Sequence, residues 1–119
     1  MTAPNLKAPT TIVGKTAGYA VTNSLAAALT NSAASNKVLK VNSVYCANVD
    51  GAASADITLV YNDGTTGFDI AYLVAVPAKA SQVLLSKETY IYLEEGDSLQ
   101  AVASANDDLE LVIGYEEIS

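Results

Sequence analysis

The sequence predicts an all-β protein: a single antiparallel β-sandwich or jelly-roll-like domain of about eight strands, preceded by an extended N-terminal arm. Three observations lead to this fold class. Apolar and polar residues alternate with period two through most of the chain after residue 10. Asp-Gly, Asn-Asp and Gly-Asp turns separate the alternating runs about every ten residues, the spacing typical of sandwiches. No helix-length stripe of period 3.6 competes with this pattern.

Residues 1–10 are predicted to form the arm, and residues 11–119 the sandwich. Pro4 and Pro9 favour an extended chain, because proline restricts its own backbone and disfavours helix in the residue before it. Such arms are disordered in many proteins, whereas in assembling proteins they lie along a neighbouring subunit. The candidate interface residues are therefore those of the arm: Ala3, Pro4, Asn5, Leu6 and Lys7.

The first strand is expected to run from residue 12 to residue 21. It contains Gly14 and Gly18, which inside a strand mark a bulge or a close approach of another backbone. Residues 24–30 are ambiguous, because their alanines and a Ser24 cap suit a short helix. Their alternate residues equally form one face of a strand. We favour the strand, since the segment is short for a stable helix and everything around it has β character.

The middle of the chain carries the clearest strand signals. Residues 37–49 are rich in β-branched residues, with a predicted bulge at Asn42-Ser43 that passes the apolar face to Val44 and Cys46. Asp63-Gly64 lies between two alternating runs, which is the strongest hairpin signal in the sequence. The return strand alternates up to a proline at position 77. Further short strands are expected around residues 83–85, 91–93, 99–103 and 109–115.

Charge argues against a nucleic-acid partner. The net charge is −7, and the six lysines form no basic run, whereas phosphate backbones are bound by clustered Lys and Arg. Residues 1–49 carry four lysines and no acid, and residues 50–119 carry all thirteen acids with two lysines. Two interpretations stay open: the halves interleave in one sandwich, or a basic edge of one copy meets an acidic face of a neighbour.

Few residues in this chain can do chemistry, and we predict no catalytic site, no metal site and no cofactor. The chain has no His, Arg or Trp, and its one cysteine, Cys46, is expected to be a small buried hydrophobe. Zinc is not credible with these residues. Loop oxygens suit calcium chemically, but they also suit turns, and the EF-hand spacing is absent. These oxygens belong to Asn62, Asp63, Asp69, Asp97, Asn106, Asp107 and Asp108.

Sugar binding and membrane association are two further function classes on which the sequence bears. Tyr90 and Tyr92 are expected on one strand face and could stack on a sugar, although tyrosine is also a common strand residue. A membrane partner is not expected, because no apolar run approaches the roughly 18 residues that span a bilayer. For the same reason we expect a soluble protein, and no secretory signal is visible after Met1.

The predicted core is thin, because many inward positions are alanine, which buries little apolar area. The sandwich also leaves edge strands that few Lys or Pro residues guard. Both features favour association with further copies of the same chain. A closed ring such as a trimer is the arrangement we expect.

Two stretches resemble small β-sandwich virion proteins of tailed bacteriophages. The first is Lys37-Val-Leu-Lys-Val-Asn-Ser-Val-Tyr-Cys-Ala-Asn-Val-Asp-Gly51. The second is Tyr90-Ile-Tyr-Leu-Glu-Glu-Gly-Asp-Ser-Leu99, with the chain end Ile113-Gly-Tyr-Glu-Glu-Ile-Ser119. The resemblance covers residues 37–119 and rests on strand rhythm, with no catalytic motif to carry over.

The resemblance implies a structural protein that decorates or cements the phage head, or that lies at the neck or tail. Negative charge favours the outer head surface, because encapsidated DNA repels a net charge of −7. The expected protein is therefore an external capsid decoration or cement protein that is trimeric and is made in the host cytoplasm. Its expected partners are further copies of itself and the major capsid protein or other virion proteins. The alternatives are a neck or tail structural protein and a glycan-binding adhesion module.

Overall fold

The computed structural model describes residues 4–119, which form two antiparallel sheets packed face to face. Within these residues there are nine strands and one short 3₁₀ helix, Lys87–Thr89. The strands are β1 Ile12–Ala20, β2 Ala26–Thr30, β3 Val38–Asn48, β4 Ala55–Asn62, β5 Gly67–Val76, β6 Ser81–Leu85, β7 Ile91–Leu93, β8 Ser98–Ala103 and β9 Leu109–Ile118. The all-β sandwich predicted from the sequence is confirmed.

Sheet A contains β1, β9 and β3 in that order, and both β6 and β7 pair with the far edge of β3. Sheet B has the order β2-β8-β4-β5. Every pair in both sheets is antiparallel. Strands β1 and β9, which are far apart in sequence, are therefore neighbours in sheet A.

Three local predictions are confirmed. Residues 26–30 form strand β2 and not a helix. The β3–β9 register shifts between Val41 and Ser43, so Asn42 is the extra residue of the predicted bulge. Asp63 and Gly64 lie in the loop of the β4–β5 hairpin, where Gly64 has φ +97°, a left-handed conformation that glycine adopts without strain.

The core lies between the two inner sheet faces and is made mostly of aliphatic side chains. Its largest fully buried members include Ile57, Leu59, Leu93, Leu99, Leu109, Leu111 and Ile113. Ala55, Ala101 and Ala103 are also buried there, so part of sheet B contributes little side-chain volume. Cys46 is fully buried among these residues, as the apolar run around it predicts.

Two buried asparagines join the loops at the ends of the sandwich. The Asn48 side-chain amide donates to the carbonyls of Ala53 (3.0 Å) and Val76 (2.8 Å), and its Oδ1 accepts from the Asp50 N–H. Asn31 donates in the same way to the carbonyls of Lys37 and Leu93, both at 2.9 Å. Each side chain therefore satisfies one buried carbonyl at a strand end, that of Val76 or Leu93, and one carbonyl in a neighbouring loop.

Two expectations about the glycines and β5 were wrong. The β1–β9 register is continuous, and a Cβ atom at Gly14 or Gly18 would meet nothing within 4 Å, so neither glycine marks a bulge or a close approach within this chain. Strand β5 does not alternate cleanly, because its register with β4 shifts twice. Leu73 has φ +49° there, and its N–H donates to Thr58 Oγ1 (3.1 Å) instead of to the ladder.

Replacing Asn48 with alanine should lower the free energy of unfolding by about 2–3 kcal/mol, because the carbonyls of Ala53 and Val76 lose their donor. Urea denaturation of both proteins measures this. Asn42→Ala is the matched control: Asn42 makes a single 3.4 Å side-chain bond, to Glu116, and its loss should cost less than about 1 kcal/mol. Equal destabilisation by the two substitutions would contradict the role given to Asn48.

Candidate interaction surfaces

Several carboxylates and the thiol of this chain are held in structural contacts. Within residues 4–119 no group of three or more His, Cys, Asp or Glu side chains is placed to hold a metal ion. Asp63, one of the loop oxygens considered for calcium, accepts bonds from the N–H groups of Thr65 and Thr66. These bonds lower its carboxyl pKa. Burial raises the pKa of the Cys46 thiol to about 11, so it is not an activated nucleophile at neutral pH.

Asp97, a second loop carboxylate, is nearly inaccessible to solvent and links strand β4 to the turn before β8. Its Oδ2 accepts from the Tyr61 hydroxyl and from the Glu94 N–H, both at 2.9 Å. Burial, and then the bond and charge of Asp97, raise the pKa of Tyr61 to about 12. The pair fixes a β4 side chain against the turn before β8, so its role is structural.

The two oppositely charged halves of the chain meet inside one molecule. Lys15 of β1 lies 3.2 Å from one Glu117 oxygen, and Lys37 lies 2.8 Å from the other. The bond from Lys37, and then the bond and charge of Lys15, lower the Glu117 pKa. Lys40 and Glu116 are opposite each other in the β3–β9 register. Of the two interpretations of the charge asymmetry, the structure supports interleaving of the halves.

The described part of the arm contains a turn and is not extended throughout. The Ala8 N–H donates to the Asn5 carbonyl (3.0 Å), and Asn5 Oδ1 accepts from the Lys7 N–H (3.0 Å). Pro4 and Leu6 line a cavity of about 330 Å³, whose other walls are Val38, Tyr92 and Glu94. Of the five candidate interface residues, four therefore lie in this turn region, and Ala3 lies outside the described residues.

The arm is tied to the sandwich only after its turn. The N–H groups of Thr10 and Thr11 donate to the Ser119 carbonyl, at 2.7 and 2.9 Å, and Ser119 N–H donates back to Thr11. Within the described chain, no hydrogen bond joins residues 4–8 to the sandwich. Leu6 remains about half exposed, so the turn presents an apolar side chain and Lys7 to the solvent.

Tyr90 and Tyr92, the candidate sugar platform, pack edge to face. Their ring centroids are 5.6 Å apart, and the ring planes meet at 83°. The Lys40 ammonium lies 4.4 Å from the centroid of Tyr90, in a cation–π contact that covers one face of that ring. Rings at this angle do not form a flat platform for stacking on a sugar.

An apolar row crosses the outer face of sheet A, and sequence reasoning missed it. Tyr45 of β3 is opposite Val83 of β6 on one side and Val112 of β9 on the other, and all three are exposed. Tyr45 and Val83 also line an open cavity of about 700 Å³ whose charged lining residues are Lys40, Lys87 and Glu116. Alternation along β3 predicts that Tyr45 points away from Cys46, but the row depends on strand order, which the sequence does not show.

The comparisons with known proteins concern this fold. No protein-family model matches the sequence, and a search of curated proteins finds no match. Among solved structures, the fold is similar to that of a chain in the acidic stable capsid structure of Helicobacter pylori bacteriophage KHP30. The TM-score is 0.51 with 10% sequence identity, over 94% of this chain and 90% of the other. At this identity the two chains share a fold.

One finding bears on membranes. No helix within residues 4–119 is long and apolar enough to cross a bilayer.

The Tyr61–Asp97 bond should make stability depend on pH in the alkaline range. Because the folded-state pKa of Tyr61, about 12, is above the ordinary value of 10.0, this stabilisation is complete below pH 10 and is lost as the pH rises toward 12. Tyr61→Phe should therefore be less stable at neutral pH and should lose less stability over that window. Urea denaturation at several pH values measures both effects.

Tyr72→Phe is the matched control for that measurement. Tyr72 is largely exposed, and its hydroxyl has no hydrogen-bond partner among residues 4–119. The control should keep the stability and the alkaline pH dependence of the unmodified protein. If Tyr61→Phe and Tyr72→Phe gave the same profile, the bond to Asp97 would not be the cause.

Proposed function

We propose that this chain is a non-enzymatic structural protein of a phage virion, and specifically a decoration or cement protein on the outer surface of the head. The observation that carries the proposal is the similarity in fold to a chain of the KHP30 capsid structure. Because the match covers 94% of one chain and 90% of the other, the two chains have nearly equal lengths. The similarity therefore extends over nearly the full length of both chains.

The chemistry of the described residues supports a structural role. Asp63, Asp97 and Glu117 serve a turn, a tyrosine hydrogen bond and two ion pairs, and the Cys46 thiol is buried, so these groups are engaged in structural contacts. What the surface offers is an apolar row on sheet A and an N-terminal turn with an exposed leucine. Surfaces of this kind bind other proteins.

Charge supports a place outside the shell. A protein of net charge −7 is repelled by DNA phosphates, and two of its six lysines, Lys15 and Lys37, are paired with Glu117. The outer head surface carries no such penalty. We therefore place the protein outside the shell, where it binds the major capsid protein or another virion protein.

Oligomerisation is part of this proposal. The thin, partly alanine core leaves apolar burial between copies as a source of further stability. The trimer expected from the sequence stays a prediction, and the two-fold pairing proposed below is the alternative to it. The glycan-binding alternative finds less support, because the perpendicular Tyr90 and Tyr92 rings lack the geometry of a sugar platform.

Copy number in the virion tests the proposed location. Quantitative mass spectrometry of purified virions that contain this chain should find hundreds of copies per particle, because a decoration protein repeats with the capsid lattice. A component of fixed copy number, such as the major capsid protein, provides the internal standard. A dozen copies or fewer would contradict decoration and would assign the chain to the neck or tail. Absence from virions would contradict the structural role itself.

Deleting residues 1–8 should weaken binding to undecorated capsids at least about tenfold while leaving the sandwich folded. The fold should survive because Thr10 and Thr11, which bond to Ser119, are retained, and no hydrogen bond joins residues 4–8 to the sandwich. Co-sedimentation with capsids measures binding, and thermal denaturation checks the fold.

A second variant keeps the length of the arm but removes its side chains. Replacing residues 1–8 with eight glycine and serine residues should lose binding to the same extent, because Leu6 and Lys7 are then absent. Unchanged affinity in either variant would show that the arm is not the capsid contact.

A further inference from the structure

The two sheets have four free edges, and three of them are interrupted. β2 has five residues and a register shift between Ala27 and Leu29. β5 has two register shifts and the left-handed Leu73. The far edge of β3 is shared by the short strands β6 and β7, with a 3₁₀ helix between them. Interruptions of this kind prevent edge-to-edge pairing of strands.

The fourth edge, that of β1, has no such protection. β1 is nine residues long, contains no proline, and pairs with β9 without any register shift. Its one charged residue, Lys15, is held by Glu117 of the same molecule. A long, flat and regular edge is a template for a further strand.

The hydrogen bonds at the two ends of β1 show which of its backbone groups are free. Thr11 exchanges both bonds with Ser119, and the Val21 N–H donates to the Leu109 carbonyl. Since antiparallel neighbours alternate, the odd-numbered residues of β1 direct their N–H and C=O groups to β9. The N–H and C=O groups of the even-numbered residues therefore point away from the sheet. These residues are Ile12, Gly14, Thr16, Gly18 and Ala20.

Nothing in the described chain covers this edge. β9 is the one strand paired with β1, and the arm leads in the other direction, since Pro4 and Leu6 lie beside Val38 of β3 and Tyr92 of β7. Two of the five outward residues are glycines, which weaken a strand, and neither is required by packing against any of residues 4–119. A close approach from outside the molecule provides that reason.

We propose that β1 pairs antiparallel with β1 of a second copy of this chain, joining two A sheets into one continuous sheet across a two-fold axis. A second copy is the occupant because β1 is complementary to itself when all nine residues overlap. In that register Thr16 lies on the axis, Gly14 is opposite Gly18, and every outward N–H and C=O group finds a partner.

The side chains also fit this register. Val13 is opposite Tyr19, a pair of a β-branched and an aromatic residue that is favourable across strands, and exposed Ile12 is opposite Ala20. Lys15 is opposite Ala17, so no like charges are directly opposed. A shift that places the axis at Lys15 would oppose two lysines, which is destabilising. A ring of copies would require the β1 edge of one copy to pair with a different edge of the next copy. The other three edges are interrupted, so this arrangement is disfavoured.

The oligomeric state of the full-length chain tests this pairing. Analytical ultracentrifugation over a range of concentrations should show a monomer–dimer equilibrium. Thr16→Pro should weaken the dimer at least about tenfold, because it removes an outward N–H at the axis in each copy. It should leave the monomer folded, since this N–H is not bonded to β9. Circular dichroism and thermal denaturation check the fold.

Two further substitutions at the same position complete the design. Thr16→Val keeps the N–H and the β-branched shape, and it should dimerise like the unmodified protein. Thr16→Lys also keeps the N–H but opposes two like charges on the axis, and it should weaken the dimer even if Thr16→Pro fails to fold. A chain that stays monomeric up to about 1 mM, a trimer, or a dimer that neither proline nor lysine weakens would overturn the proposal.

Hydrogen exchange gives an independent measurement with a pattern that only edge pairing produces. At concentrations where the dimer dominates, the amides of Gly14, Thr16 and Gly18 should become protected, whereas dilution should expose them again. The amides of Lys15 and Ala17, bonded to β9, should be protected at both concentrations. Rapid exchange of the even-numbered amides in a dimer would place the contact elsewhere. Neither test depends on the proposed place in the virion.

Discussion

The architecture of sheet A depends on β9, which is paired along its whole length with β1 on one side and β3 on the other. Buried backbone groups must be hydrogen-bonded, and a strand between two partners satisfies this by directing alternate residues to each. The same alternation determines which backbone N–H and C=O groups of β1 are left without a hydrogen-bond partner among the described residues. Its odd-numbered residues are bonded inside the molecule, and its even-numbered residues are not.

Sequence pattern was sufficient for the fold class and for most individual strands, because period-two alternation and turn residues are local signals. It predicted the bulge at Asn42 and the Asp63-Gly64 hairpin for the same reason. The prediction of buried residues failed where a shift in strand register decides which side chains are exposed. The shift between Val44 and Tyr45 separates Val83 from Leu85, so Val83 is exposed although a simple alternation would bury both. The apolar row containing Val83 could not be predicted without strand order.

The candidate site was less predictable, because the candidate interface residues lie in an arm whose path depends on contacts far away in sequence. Prolines suggested an extended chain, but Asn5 closes a turn, and Leu6 lies beside Val38 and Tyr92. The glycines of β1 were wrongly explained, since a Cβ atom at either one would meet no atom of residues 4–119 within 4 Å. The explanation proposed above involves a second molecule, which a single sequence does not contain.

A thin core and an unprotected edge are related consequences of this composition. Alanines on the inner face limit the apolar area that one copy can bury, while Ile12 and Val13 of β1 remain exposed. Pairing of two β1 strands would add backbone hydrogen bonds and cover part of this apolar surface at once. A protein that binds through the edge of a sheet is suited to assembly, because main-chain hydrogen bonds to an added strand need no reactive side chain. In this view the absence of histidine, arginine and tryptophan costs the protein nothing, since strand pairing uses groups that every residue carries.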